Sequence, residues 1–157
     1  MPDPAFRTLS EEDYLRIEEI SSVKRECVDG FVYAQAGATN AHNLICSNIH
    51  FALYLSARAK GCFVYPSYMK VRIKTSRGIK YYYPDIAVNR APLNPDALYM
   101  TQPCLIVEVL SKGTHKIDES YKAEHYLSLD SLQAYLLVDA RSRVSVIHRR
   151  TPEGWVY

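Results

Sequence analysis

The chain has 157 residues, enough for one domain with its own core and no need of disulfide or metal staples. Hydrophobic residues make up 48% and charged residues 23%, a balance that excludes an intrinsically disordered chain. The formal net charge of +2 is too small to argue nucleic-acid binding from totals, so any such case rests on local clustering.

Met1-Pro-Asp-Pro-Ala-Phe-Arg7 has no apolar signal region, and nowhere do eighteen apolar residues run together. The expectation is a soluble, cytoplasmic protein with no membrane partner. Cys27, Cys46, Cys62 and Cys104 are widely separated. With no Cys-x-x-Cys pair and no zinc-type pairing with histidine read among them, they predict reduced core thiols and no zinc site.

Ser10-Glu-Glu-Asp13 has the form of a capping box, and Tyr14, Leu15 and Ile17 supply the apolar side of a helix ending near Ser21. Lys24 to Val28 and Phe31 to Gln35 flank the turn signal Asp29-Gly30 and predict a hairpin with Glu26 and Val28 on one face. From Asn40 to Lys60, Leu44, Ile45, Ile49, Ala52, Leu53 and Ala57 recur at helical spacing before the stop signal Gly61. Extended segments are predicted over Cys62–Tyr65, Tyr68–Lys74 and Ile79–Val88, the last containing Pro84-Asp85, with a turn at Ser76-Arg-Gly78. Residues 90–103, with three prolines, read as a loop.

Leu105-Ile-Val-Glu-Val-Leu110 is an apolar run broken by one acid and reads as a buried strand. A helix follows from about Lys116 to Ser128, with Tyr121 and Leu127 on its buried side, and implies a crossover back to the sheet. Gln133 to Val138 reads as a buried strand, Ala140-Arg-Ser142 as a turn, and Arg143 to Arg149 as an alternating strand. The sum is an α/β (α+β) sandwich, a mixed sheet flanked by helices. One domain over residues 1–157 is expected; were it truncated at its C-terminal end, an exposed Trp155 or an unpaired edge there would favour self-association.

Glu108 carries the functional argument. An ionised carboxylate removed from water costs several kcal/mol unless a metal or cation compensates it. Asp85 ends one strand-like segment and Glu108 lies on the next apolar strand, so the two can share a metal. Mg²⁺ or Mn²⁺ suits a carboxylate pair with one backbone carbonyl. Alternation points Ile106, Glu108 and Leu110 one way and Val107 and Val109 the other. Asp118 and Lys122 stand four apart on the following helix, with His125 and Tyr126 on about the same side. They read either as an i,i+4 ion pair worth roughly 0.2–0.5 kcal/mol or, since the helix directly follows the Glu108 strand, as the source of a catalytic lysine.

The sequence resembles the Uma-two-like restriction endonucleases of the PD-(D/E)xK nuclease superfamily. The matching residues are Arg25-Glu26-Cys-Val-Asp29-Gly30, His42 opening the long helix, Tyr83-Pro-Asp-Ile-Ala-Val88, Val107-Glu-Val-Leu-Ser111 and Asp118-x-x-x-Lys122-x-x-x-Tyr126, in an order that covers about Leu9 to Arg149. The resemblance implies a restriction-endonuclease-like fold in which Asp85, Glu108 and the Val109 carbonyl hold Mg²⁺ or Mn²⁺, with Glu26 an added ligand. Leu110 stands where the motif has lysine, and the resemblance assigns that role to Lys122, with Lys112 a second candidate. Asp118, His42 and Tyr126 are supporting candidates. The implied activity is metal-dependent hydrolysis of phosphodiester bonds in double-stranded DNA, by a homodimer if both strands are cut.

Lys70, Arg72 and Lys74 share one strand face and form a basic stripe that could meet phosphates or stay solvated. Tyr81, Tyr82 and Tyr83 read as packing residues more than as a base-stacking platform. The rival readings are a non-catalytic nucleic-acid-binding or protein-interaction domain that keeps the fold, and a scaffold whose acids sit in ion networks.

Overall fold

The computed structural model describes residues 8–111 and 116–157, with side chains described from residue 120 in the second segment. Lys112 therefore lies outside the described residues, and so does the side chain of Asp118.

Helix α1 (Glu11–Ile20) starts at Ser10, whose hydroxyl accepts the Asp13 N–H as a helix N-cap should, and it ends at Ser21. Strands β1 (Arg25–Val28) and β2 (Phe31–Ala34) form the expected hairpin. Asp29 and Gly30 both take positive φ (52° and 88°), the requirement of a type I′ turn. Helix α2 (Asn40–Ala59), capped by Thr39, is followed by β3 (Phe63–Pro66), β4 (Lys70–Thr75), β5 (Gly78–Tyr82), β6 (Ile86–Asn89), the two-residue β7 (Tyr99–Met100) and β8 (Pro103–Leu110). Helix α3 (Lys116–Leu127), β9 (Ala134–Asp139), β10 (Ser145–Thr151) and β11 (Gly154–Val156) complete the chain.

Two mixed sheets form where one was expected. The first has the order β2-β1-β5-β4-β7 and the second β11-β10-β9-β8-β6-β3. The segment from Ile79 to Val88, read as one strand, is two strands in different sheets, and the chain changes sheets at Tyr83-Pro84-Asp85. Proline has no N–H for a ladder, which is a physical reason for the break to fall there. Strands β8 and β9 are parallel and joined by the α3 crossover, while β6 and β8 are antiparallel.

The main core joins Val71, Ile73 and Tyr82 of the first sheet to Ala87, Ile106 and Tyr135 of the second, with Tyr126 of α3 among them. Tyr14 of α1 packs with Cys27 and Tyr81 on the first sheet. Ile45, Cys46, Ile49 and Leu53 of α2 pack against Ile86, Val107 and Val109 of the second sheet. Much of this core is tyrosine, and the hydroxyls are bonded as buried polar tips must be. Tyr14 donates to the Arg25 carbonyl at 2.6 Å and Tyr83 to Glu18 at 3.0 Å. Tyr81, Tyr82 and Tyr83 are all buried, as packing residues should be.

Some expected core positions lie outside it. Tyr121 is 59% exposed, and Leu44 faces away from the sheet on the exposed side of α2. Trp155 is not the exposed residue expected: it sits in β11, half-buried, and its indole N–H donates to the Leu127 carbonyl. All four cysteines are free thiols. Among the described residues no helix is long and apolar enough to cross a membrane.

Candidate active site

The pairing of β6 with β8 brings the two central acids together. Ile86 lies opposite Val107 and Ala87 opposite Ile106, so the same register continued back one residue sets Asp85 opposite Glu108. Asp85 Oδ2 accepts the Val109 N–H at 2.7 Å, tying the acid to the strand that carries Glu108. The alternation read from sequence holds on β8. Ile106 points into the core that contains Tyr126, and Val107 and Val109 point to α2. Glu108, on the Ile106 side, meets α3: Tyr126 donates to its Oε1 at 3.0 Å, and Lys122 Nζ lies 3.1 Å from the same oxygen.

Glu26 reaches the same place from the first sheet. Its Oε1 accepts from Lys122 Nζ at 2.8 Å, from the Tyr83 N–H at 2.9 Å and from the Gln35 amide at 3.1 Å. The Glu26 side chain is only 17% exposed and is bonded within this cluster. The sheet change at Pro84 is what makes the gathering possible, because it sets a β1 acid beside β6 and β8 residues.

His42, near the start of α2, places Nε2 3.2 Å from Asp85 Oδ2. Gln35, Cys46 and Tyr82 belong to the site and were missed in the sequence. Gln35 bonds both Glu26 and the Tyr83 carbonyl, Cys46 lies beside His42, and the Tyr82 ring lies under Lys122 with Nζ 5.1 Å from its centre. The His42-to-Cys46 spacing of four was a usable signal for Cys46. Nothing local marks Gln35 or Tyr82.

Two residues of the basic stripe are engaged within the fold. Lys70 is buried and donates to the Tyr83 hydroxyl, and Arg72 is paired with Glu11 of α1. Of the three, Lys74 alone is exposed.

The electrostatics are one-sided. Among the described residues, Glu26 and Glu108 both pair with the Lys122 ammonium, while the third carboxylate, Asp85, faces the His42 imidazole. Lys24 feels both Asp85 and Glu26, but its ammonium is bonded to Ser67. The Glu108 side chain is 12% exposed. Burial pushes its carboxyl up to about 7, against the pull of Lys122 and with the help of Asp85 and Glu26. Burial also works against the Lys122 ammonium, but Glu108 and Glu26 outweigh it and hold Lys122 above an ordinary lysine, so it stays charged. Burial raises the Cys46 thiol to about 12, with Asp85 and Glu108 adding to the effect.

A family model described as "Putative restriction endonuclease", Uma2, matches residues 11–157. The chain belongs to the Uma2 family. As an Uma2 chain it is 31% identical over 157 residues to the uncharacterized protein slr1290 of Synechocystis sp., a match covering 99% of this chain and 82% of that one. It is 33% identical over 136 residues to the uncharacterized protein sll1609 of the same organism, covering 85% of this chain and 76% of that one. Its fold is that of a crystal structure from Anabaena variabilis, titled a putative nuclease belonging to DUF820, with a TM-score of 0.75 at 15% identity over 90% of this chain and 79% of that chain. The restriction-endonuclease-like architecture expected of an Uma2 chain is thus the one observed.

Proposed function

We propose that the chain is a divalent-metal-dependent endonuclease that hydrolyses phosphodiester bonds in double-stranded DNA, with Asp85, Glu108 and Lys122 as its chemical core. The observation that carries this reading is the gathering of acids: Glu26 and Glu108 share the Lys122 ammonium, and Asp85, tied by its carboxylate to the Glu108 strand, is paired with the His42 imidazole. The surplus of negative charge, and the Glu108 carboxyl pushed up by it and by burial, fit a site that takes a dication. The oxygen donors suit Mg²⁺ or Mn²⁺. Asp85 and Glu108 would hold the ion with the Val109 carbonyl, and Glu26 would join them directly or through water. The chemistry supplied by such an ion would be polarisation of the phosphate and activation of water.

The chain's own groups supply the rest. Lys122, fixed between Glu26 and Glu108, carries a permanent positive charge to the place left without one by Leu110, where it can orient water or meet charge developing on the phosphate. Tyr126 holds one Glu108 oxygen from below. Cutting both strands of a duplex needs two such sites, which a homodimer would provide. The non-catalytic binding domain gains nothing from β4, because Lys70 and Arg72 are engaged inside the protein. Incubation of plasmid DNA with the wild type and Glu108→Gln in Mg²⁺ or Mn²⁺ tests the reading. Cleavage by the wild type that EDTA and the substitution both abolish is expected, and no cleavage with either ion would sink it.

A further inference from the structure

We propose that His42, Cys46 and Asp85 form a binding site for a thiophilic divalent ion of the zinc class. His42 and Cys46 stand four apart on α2 and so share one side of the helix. Asp85 faces them from the sheet-changing segment. Cys46 Sγ lies 3.7 Å from His42 Nδ1 and 4.0 Å from Nε2, and Nε2 lies 3.2 Å from Asp85 Oδ2. One ligand atom from each residue falls within 4.8 Å of the other two.

The nitrogen–oxygen distance is close to what a tetrahedral ion imposes. With a metal–sulfur bond of about 2.3 Å and metal–nitrogen and metal–oxygen bonds of about 2.0–2.1 Å, ligand atoms stand roughly 3.3–3.6 Å apart. The nitrogen–oxygen pair already meets this, whereas the sulfur stands nearer Nδ1 than Nε2, so the Cys46 and His42 side chains must rotate, by about an ångström or more at the sulfur, to share one ion with Asp85. The His42 and Asp85 side chains are 11% and 17% exposed, so the site is sheltered without being sealed. The Val109 N–H donates to Oδ2 itself at 2.7 Å and so fixes the oxygen that faces His42, which keeps a second lone pair for an ion.

The donors set this cluster apart from the oxygen set around Glu108. A thiolate and an imidazole favour zinc-like ions over Mg²⁺, which prefers oxygen and water. Three protein ligands leave a fourth position for water or an exogenous anion. The expectation of reduced core thiols and no zinc site rested on the lack of a Cys-x-x-Cys pair and of a paired histidine, and it overlooked a His-x-x-x-Cys pair on one helix face completed by an acid from elsewhere in the chain. Binding of the soft ion is independent of the nuclease reading. A consequence resting on that reading is that the soft ion draws Asp85 away from the Mg²⁺ set and inhibits cleavage.

Titration of the full chain with Co²⁺, followed by absorption, tests the site without any activity measurement. Expected for the wild type are a near-ultraviolet sulfur-to-cobalt band and the visible bands of a tetrahedral ion, with Zn²⁺ displacing both. Glu108→Gln should keep the sulfur band, whereas Cys46→Ala should lose it and bind Zn²⁺ at least about tenfold more weakly in competition with a chromophoric chelator. Cys46→Ser, nearly isosteric, repeats the comparison should the alanine variant fold poorly by circular dichroism. No sulfur band in the wild type, equal Zn²⁺ affinity in the cysteine variants, or loss of the band in Glu108→Gln would overturn the proposal. Failure of DNA cleavage would not touch it.

Discussion

Replacing Glu108 by glutamine should stabilise the metal-free protein at alkaline pH and do little at acid pH. Glu108 is raised from an ordinary 4.5 to about 7. A carboxyl raised in the folded state contributes stability that is fully present below its unfolded value and is lost as pH rises through the folded one. The window is therefore from about pH 4.5 to just above pH 7. At about 1.4 kcal/mol per pKa unit, the gap amounts to roughly 3 kcal/mol. Glutamine does not titrate, so the stability of Glu108→Gln minus that of the wild type should climb by roughly this amount between pH 4.5 and pH 8.5 and then level off. Any constant offset from the amide, such as a poorer contact with Lys122, cancels when pH values are compared. Urea unfolding in EDTA, followed by far-ultraviolet circular dichroism at four pH values across the window, measures it. Mg²⁺ added at pH 8.5 should then raise the midpoint of the wild type and leave the variant almost unmoved. A difference between the two proteins that does not change with pH would refute the burial and charge-crowding argument.

Lys122→Ala leaves Glu26 and Glu108 close together with no cation in contact. It should cost about 3–5 kcal/mol at pH 8 in urea unfolding, and less at pH 5, where Glu108 can take up a proton. Gly30→Ala tests the hairpin that presents Glu26: Gly30 has φ +88°, and an added Cβ would stand 2.7 Å from Thr8 Cβ and 2.8 Å from the Leu9 carbonyl oxygen. The expected loss is about 2 kcal/mol by thermal or urea unfolding.

Elements with strong local signals are legible in the amino-acid order. The capping serine of α1, the Asp29-Gly30 turn and the helical period of α2 each fix a boundary through chemistry within a few residues, and all three fall where expected. Alternation on β8 also points Glu108 to the right face. What alternation cannot give is the sheet to which a strand belongs. Two strands separated by three residues read as one, and the division of the fold into two sheets went with them. Strand β7 is a two-residue parallel bridge inside a proline-rich loop and has no period to detect. Glu26 and Gln35 become site residues only because the sheet change folds the hairpin back toward Tyr83. Lys70 and Arg72 share a face, as the sequence indicates, but α1 and Tyr83 engage that face, and no strand pattern encodes a helix packed across it.

Binding of Mn²⁺ in solution, followed by electron paramagnetic resonance at pH 8, asks whether the carboxylates were gathered for a dication. The wild type should bind one ion per chain with an affinity that rises with pH through about 7 as Glu108 ionises. Asp85→Asn and Glu108→Gln should each lose that ion, while Cys46→Ala should keep it. Mn²⁺ binding left unchanged by both acid substitutions would contradict the shared site at Asp85 and Glu108.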